Sequence, residues 1–268
     1  KCFEGVGLPD GAVNMVIGKG QVVGDALSAH PLTAGIGFTG STVTGDTICG
    51  RARCKHTSME LGGDGPCIVL KDADLDVAAQ GLMNGSFLNA GQVCTSTERV
   101  LVDDAITDAL VEKILEKMQT QYQLGDPFDE KTTMGPMHLM SQIEIVESHI
   151  QQAVEMGAKV VTGGRRKAGM PTEHYFEPTV VDHVPADCML HTDETFGPVI
   201  PLIRFKSEDE IQELVEMSDY RLFNAIFTKD VNKALRMAEQ YNFGATNING
   251  ATNYWDPTIP AGGGGGSQ

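Results

Sequence analysis

Gly35-Ile36-Gly37-Phe38-Thr39-Gly40-Ser41-Thr42 reads as a short strand that turns directly into a helix start. Its apolar residues, Ile36 and Phe38, alternate with small ones, and Gly40 then frees the chain to turn. Ser41 and Thr42 are residue types that favour a helix N-terminus. The unpaired amides and positive end of such a helix favour a phosphate, to which the hydroxyls can add hydrogen bonds. The stretch is not a GxGxxG loop, and an ordinary Ser N-cap accounts for the same residues. Gly40 and Ser41 are therefore candidate cofactor contacts, with a plain cap as the alternative.

Working outward, residues 13–17 form a short apolar run closed by Gly18, residues 20–29 are helix-like, residues 42–53 continue the helix opened by Ser41, and residues 57–61 form a third strand. Strands separated by ten or more helical residues imply parallel pairing through crossovers. After Gly62-Gly63 the pattern resets, so the chain divides into 1–62 and 63–268. In the second part a strand ends at Leu70, and Asp72 or Asp74 caps a helix with Leu75, Ala79, Leu82 and Met83 on one face. Asp103 or Asp104 starts a helix carrying Ile106, Leu110, Ile114 and Met118, and a third helix carries Leu139 to Val154 and stops at Gly157. Further strands are expected at 160–162, 175–181, 198–205, 225–228 and 245–249, with helices after Ser207 and over 231–241. The fold class is α/β, a three-layer parallel-sheet domain preceded by part of another sheet.

The 268 residues are 41% hydrophobic and 21% charged, a globular balance that excludes disorder. Thirty-six acidic residues against 20 Lys and Arg give a net charge of −16, which disfavours nucleic acid and anionic lipid as partners. No apolar run approaches the ~20 residues that span a bilayer. Six thinly spread cysteines, Cys2, Cys49, Cys54, Cys67, Cys94 and Cys188, suit a reducing, cytoplasmic setting in which most are buried thiols. Cys49 and Cys54 lack the partners of a zinc site, so no metal is expected.

Cys94 lies in Gly91-Gln92-Val93-Cys94-Thr95-Ser96, where a helix gives way to a Gly-containing turn. Backbone amides there would lower its pKa and favour a nucleophilic thiolate, whereas an inert buried thiol is the bland alternative. Glu60, in Met59-Glu60-Leu61-Gly62-Gly63, is a carboxylate at an apolar strand end, partly desolvated and suited to general-base work; a solvent-facing Glu would look the same. In Glu194-Thr195-Phe196-Gly197-Pro198 the Glu194 carboxylate can accept from ribose hydroxyls and the Phe196 ring can support a flat cofactor, or the segment is simply a tight turn.

In this order and spacing, with Cys94 thirty-four residues after Glu60, the segments resemble the aldehyde dehydrogenase superfamily across the whole chain. Gly-Leu-Pro-Asp-Gly-Ala-Val-Asn at 7–14 is also similar to a family stretch. The resemblance implies a Rossmann-like cofactor domain in part, followed by a catalytic domain. It implies Cys94 as nucleophile and Glu60 as general base, with Gly40, Ser41, Leu61, Glu194 and Phe196 at the cofactor. It implies oxidation of an aldehyde to an acid through a thiohemiacetal and a thioester on Cys94, with NAD, or alternatively NADP, taking the hydride. The presence of Glu60 argues against the coenzyme A-acylating branch. The partner is a small-molecule aldehyde, and the parent protein is expected to be a homodimer or homotetramer.

Departures from the family pattern are informative. The upstream half of the cofactor domain, the oxyanion-hole asparagine and the adenosine-ribose lysine have no counterpart, and residue 1 maps near the middle of a typical member. Ala261 stands where the family has Phe, and Gly265 where it has Lys. Residues 253–256 fall in a loop that lines the substrate entrance in the family, so Trp255 either meets substrate or packs under its own loop. A catalytically silent, dehydrogenase-derived binding protein is the alternative from another class, and a cysteine esterase a minor third.

Overall fold

A strand buried on both faces needs apolar side chains at successive positions. Pro66-Cys67-Ile68-Val69 and Val100-Leu101-Val102 provide such runs, and every residue in them is buried in the structure, a computed structural model describing residues 2–268. The chain forms two compact units, Lys1–Met59 and Glu60–Gln268. In order they contain α1 (Cys2–Gly5), α2 (Gly20–Ala29), β1 (Gly35–Thr39), α3 (Thr42–Ala52) and β2 (His56–Glu60), whose last residue belongs to the second unit. Then follow β3 (Gly65–Val69), α4 (Leu75–Phe87), β4 (Thr97–Asp103), α5 (Asp104–Gln121), α6 (Met140–Glu155), β5 (Lys159–Thr162), β6 (Thr179–Asp182), α7 (Met189–Thr192), β7 (Val199–Phe205), α8 (Ile211–Glu216), β8 (Phe223–Phe227), α9 (Val231–Tyr241) and β9 (Ala245–Ile248).

In the first unit β1 pairs with β2, and α3 starts at Ser41 as expected. Residues 13–17, expected as a strand, are irregular: Val13, Met15, Val16 and Ile17 are exposed, and among the described residues no strand pairs with them. An apolar run becomes a strand only when a neighbour takes its backbone hydrogen bonds.

The second unit is a seven-stranded sheet in the order β5-β6-β7-β4-β3-β8-β9. All neighbours are parallel except the β5–β6 pair at one edge. Both faces of its centre are covered, since β3 and β8 are buried at every position. Helices α4 and α5 pack together against β4 and β7, while α6 packs on β5 and α7 on β4 and β7. Asp74 caps α4 by accepting from the amides of Asp76 and Val77. Asp72, the other candidate cap, instead accepts from Thr228 Oγ1 and the Lys229 amide, tying β3 to the end of β8. Ser207 and Glu210 form a reciprocal capping box ahead of α8.

Strand β4 is not among the expected strands and lies between the Cys94 turn and α5. Its first half, Thr97-Glu98-Arg99, carries two ionisable side chains, yet all three residues are buried. Of the cysteines, Cys67 and Cys188 are buried, but Cys49 and Cys54 are exposed, contrary to the expected burial. Cys2 lies outside the residues whose side chains are described. Among the described residues no helix is long and apolar enough to cross a membrane.

Candidate active site

Parallel neighbours in a sheet bring like ends together. Because β7, β4 and β3 are adjacent and parallel, the segments entering them lie side by side: Glu194 to Pro198 enters β7, Gln92 to Ser96 enters β4, and Gly62 to Asp64 enters β3. Three motifs far apart in the chain are thereby assembled at one edge of the second unit, with Glu60 just ahead of β3.

Close backbone approach locks these turns together. A side chain on Gly63 would collide with the Cys94 carbonyl oxygen, so only glycine lets the β3 entry pass against the Cys94 backbone. Gly91 has φ +74°, a left-handed conformation, and a side chain there would run into the Gly197 carbonyl. Ser96 Oγ donates to the Gly91 carbonyl at 3.0 Å, and the Ser96 amide donates to the Val93 carbonyl at 2.8 Å, which closes the Cys94 turn. Glu194 Oε1 accepts the Gly63 amide at 2.8 Å, joining the β7 entry to the β3 entry. Leu61 is buried, and its amide donates to the Ser267 carbonyl at 3.1 Å.

Cys94 is half-buried, and its thiol lies above the ordinary range. Burial raises it most, followed by the carboxylates of Glu194 and Glu60; the amides of Cys94 and Thr95 pull the other way without prevailing. This corrects the expectation that backbone amides would lower the thiol. Glu60 is half-buried and close enough for its charge to act on the sulfur. Burial pushes Glu194 up to about 7, aided by Asp64 and opposed by the Gly63 amide.

Residues outside the motifs shape the same edge. Buried Glu98 accepts from the amides of Thr195 at 3.1 Å and Phe196 at 3.2 Å. Gln142 Nε2 donates to the Thr195 carbonyl at 2.8 Å, and His149 Nδ1 lies 3.1 Å from Thr195 Oγ1. Arg99 Nε donates to the Asp64 carbonyl at 3.0 Å and lies 3.2 Å from the Asp64 carboxylate, both side chains fully buried. No motif announces these residues; the one signal for them in the sequence is a Glu-Arg pair ahead of an apolar run, a pairing that burial permits only beside internal partners.

Cofactor candidates fall in both units. Gly40 and Ser41 stand at the start of α3 in the first unit, where Ser41 Oγ bonds with Thr44 Oγ1 at 3.0 Å and makes no side-chain cap to its own helix. A cavity of about 540 Å³, lined by Gly20, Gly24, Phe38, Val43, Thr44 and Ile48, opens beside that start. Asp25, paired with Arg51, and Gln21 add charged and polar groups to its lining, so the cavity offers both apolar surface and hydrogen-bonding groups to one end of a dinucleotide. In the second unit a separate cavity of about 650 Å³ is lined by Phe196, Gln92, Gln142 and His138 among others. Trp255 is 54% exposed, so it is not packed beneath its own loop.

The aldehyde dehydrogenase family model matches residues 1–268. The chain belongs to the aldehyde dehydrogenase family. It is 40% identical to lactaldehyde dehydrogenase of Methanocaldococcus jannaschii over 256 residues, covering 96% of this chain and 54% of that enzyme. It is 40% identical over 246 residues to the mitochondrial succinate-semialdehyde dehydrogenase of Arabidopsis thaliana, covering 91% of this chain and 46% of that one. Among solved aldehyde dehydrogenase folds, the M. jannaschii glyceraldehyde-3-phosphate dehydrogenase complexed with NADP matches with TM-score 0.92 and 39% identity, over 99% of this chain and 56% of that one. Betaine aldehyde dehydrogenase of Staphylococcus aureus in complex with NAD+ matches with TM-score 0.91 and 33% identity, over 98% and 53%. The chain thus spans about half the length of the curated relatives it matches.

Proposed function

We propose that the full-length protein oxidises an aldehyde to a carboxylic acid, with NAD, or NADP in its place, as hydride acceptor. The observation that carries this reading is a half-buried cysteine, Cys94, flanked by Glu60 and Glu194 in a turn locked by Gly63. Residues 1–59 would serve the cofactor, through Gly40 and Ser41, and residues 60–268 the chemistry. Leu61, Glu194 and Phe196 would contact the nicotinamide end.

Cys94 is the nucleophile. Burial and two carboxylates hold its thiol up, so it reacts through the fraction that is ionised, its proton passing to solvent. The thiolate forms the C–S bond to the aldehyde carbon, and the Cys94 amide would stabilise the resulting oxyanion. A nicotinamide held by Glu194 and Phe196 would supply the hydride acceptor that the conversion of the hemiacetal on Cys94 to a thioester requires. Glu60 then removes a proton from water, whose oxygen displaces the sulfur; the acid departs and the thiolate is regenerated. The relatives act on lactaldehyde, 3-sulfolactaldehyde and succinate semialdehyde, which favours a short polar aldehyde as substrate.

Aldehyde-dependent NAD(P)H formation by the full-length protein, across an aldehyde panel with both cofactors, is the test. Cys94→Ser is expected to lower the rate by about a thousand-fold or more. Equal rates for the two proteins would exclude the assignment.

A further inference from the structure

Strand β4 opens with two ionisable residues in succession, and their partners differ in kind. Arg99 is engaged by Asp64 and by the carbonyls of Leu214 at 2.9 Å and Val215 at 3.2 Å, contacts that join β4 to the β3 entry and to α8. Glu98, only 4% exposed, spends both carboxyl oxygens on main-chain amides of the β7 entry: Oε2 accepts from Thr195 at 3.1 Å and Phe196 at 3.3 Å, and Oε1 from Phe196 at 3.2 Å. Burying a carboxyl group is costly, and an apolar residue would fill this place without that penalty. The conformation it holds is also unfavourable by itself. Phe196 has φ +51°, a left-handed backbone that a bulky side chain adopts only when its surroundings enforce it. Thr195 is fixed further by Gln142 on its carbonyl and His149 on its hydroxyl, so the middle of the turn is clamped between the two residues read as cofactor contacts, Glu194 and Phe196.

We propose that Glu98 is a positioning residue for the cofactor: by accepting the Thr195 and Phe196 amides, it holds the β7 entry in the shape that presents Glu194 and Phe196 to the nicotinamide ribose. This rests on the aldehyde dehydrogenase reading. Burial, Glu194 and Asp64 push the Glu98 carboxyl well above the usual carboxylate range, against the pull of the two amides, which favours its neutral form. A neutral carbonyl oxygen can accept two amides, as can that of a glutamine. An aspartate keeps the acid but falls one methylene short.

The full-length protein and its Glu98→Asp and Glu98→Gln variants are titrated with NAD and NADP by protein fluorescence. KM for cofactor and for aldehyde and the rate of Cys94 alkylation by iodoacetamide are measured alongside. Glu98→Asp is expected to weaken cofactor binding and raise its KM about ten-fold, leaving aldehyde KM and alkylation within about two-fold, while Glu98→Gln stays within about three-fold of wild type throughout. An Asp variant that binds cofactor like wild type overturns the proposal. So does a Gln variant that loses as much as Asp, or a parallel rise of cofactor and aldehyde KM, since a general loosening would produce either. A wild type that binds neither NAD nor NADP overturns the aldehyde dehydrogenase reading itself, a result distinguishable because it precedes any comparison of variants.

Discussion

A thiol held up by burial and by two neighbouring carboxylates is a poor nucleophile until one of those charges is neutralised. Glu194 makes the larger contribution of the two, so Glu194→Gln should lower the Cys94 pKa and speed its alkylation at pH 7. The pH–rate profile for iodoacetamide should shift to lower pH in the variant; an unshifted profile would mean that Glu194 does not sense the sulfur. Glu194 also carries a stability consequence of definite sign. Its folded pKa of about 7 exceeds the ordinary 4.5, so the folded state binds its proton more tightly, and this contribution is lost as pH rises from about 4.5 to 7. His191, lowered to about 4 by burial and by Arg99, acts oppositely and adds stability as pH rises from about 4 to 6.5. The comparison therefore belongs between wild type and Glu194→Gln: urea melts from pH 4.5 to 7 should show a difference that favours the variant increasingly as pH rises. A constant difference would contradict the shift.

Elements built on one dominant periodicity were legible to the residue. Helix α9 occupies Val231–Tyr241 as its apolar spacing indicates, and β1 and α2 match their expected limits. Strand β4 was not legible, because Glu98 and Arg99 interrupt its hydrophobic run and their partners, Asp64, Thr195 and Phe196, come from distant segments. Residues 13–17 fail for the converse reason, since a suitable pattern becomes a strand only beside a partner. The β4 ion pair carries a prediction at this scale. Arg99→Leu leaves the Asp64 carboxylate buried without its cation and should cost about 3–5 kcal/mol in denaturant unfolding, whereas the double variant with Asp64→Asn should recover part of that loss. Additive losses would show that the two residues act independently.

At the scale of the molecule, strand order makes the site. The Cys94, Glu60 and Glu194 segments were recognisable one at a time, but nothing in their order along the chain says that β7, β4 and β3 are adjacent and parallel. Adjacency turns three motifs into one edge, and it also brings in Glu98, Gln142 and His149, which no motif announces. The central claim is a division of labour, with Cys94 forming the covalent bond and Glu60 activating the water that ends it. Rapid mixing of aldehyde and cofactor with the full-length Glu60→Gln variant tests it most directly. The variant should release about one equivalent of NAD(P)H per active site in a burst and then turn over slowly, because the thioester on Cys94 accumulates. Steady turnover at the wild-type rate with no burst would contradict the assignment of Glu60 and, with it, the account of the site.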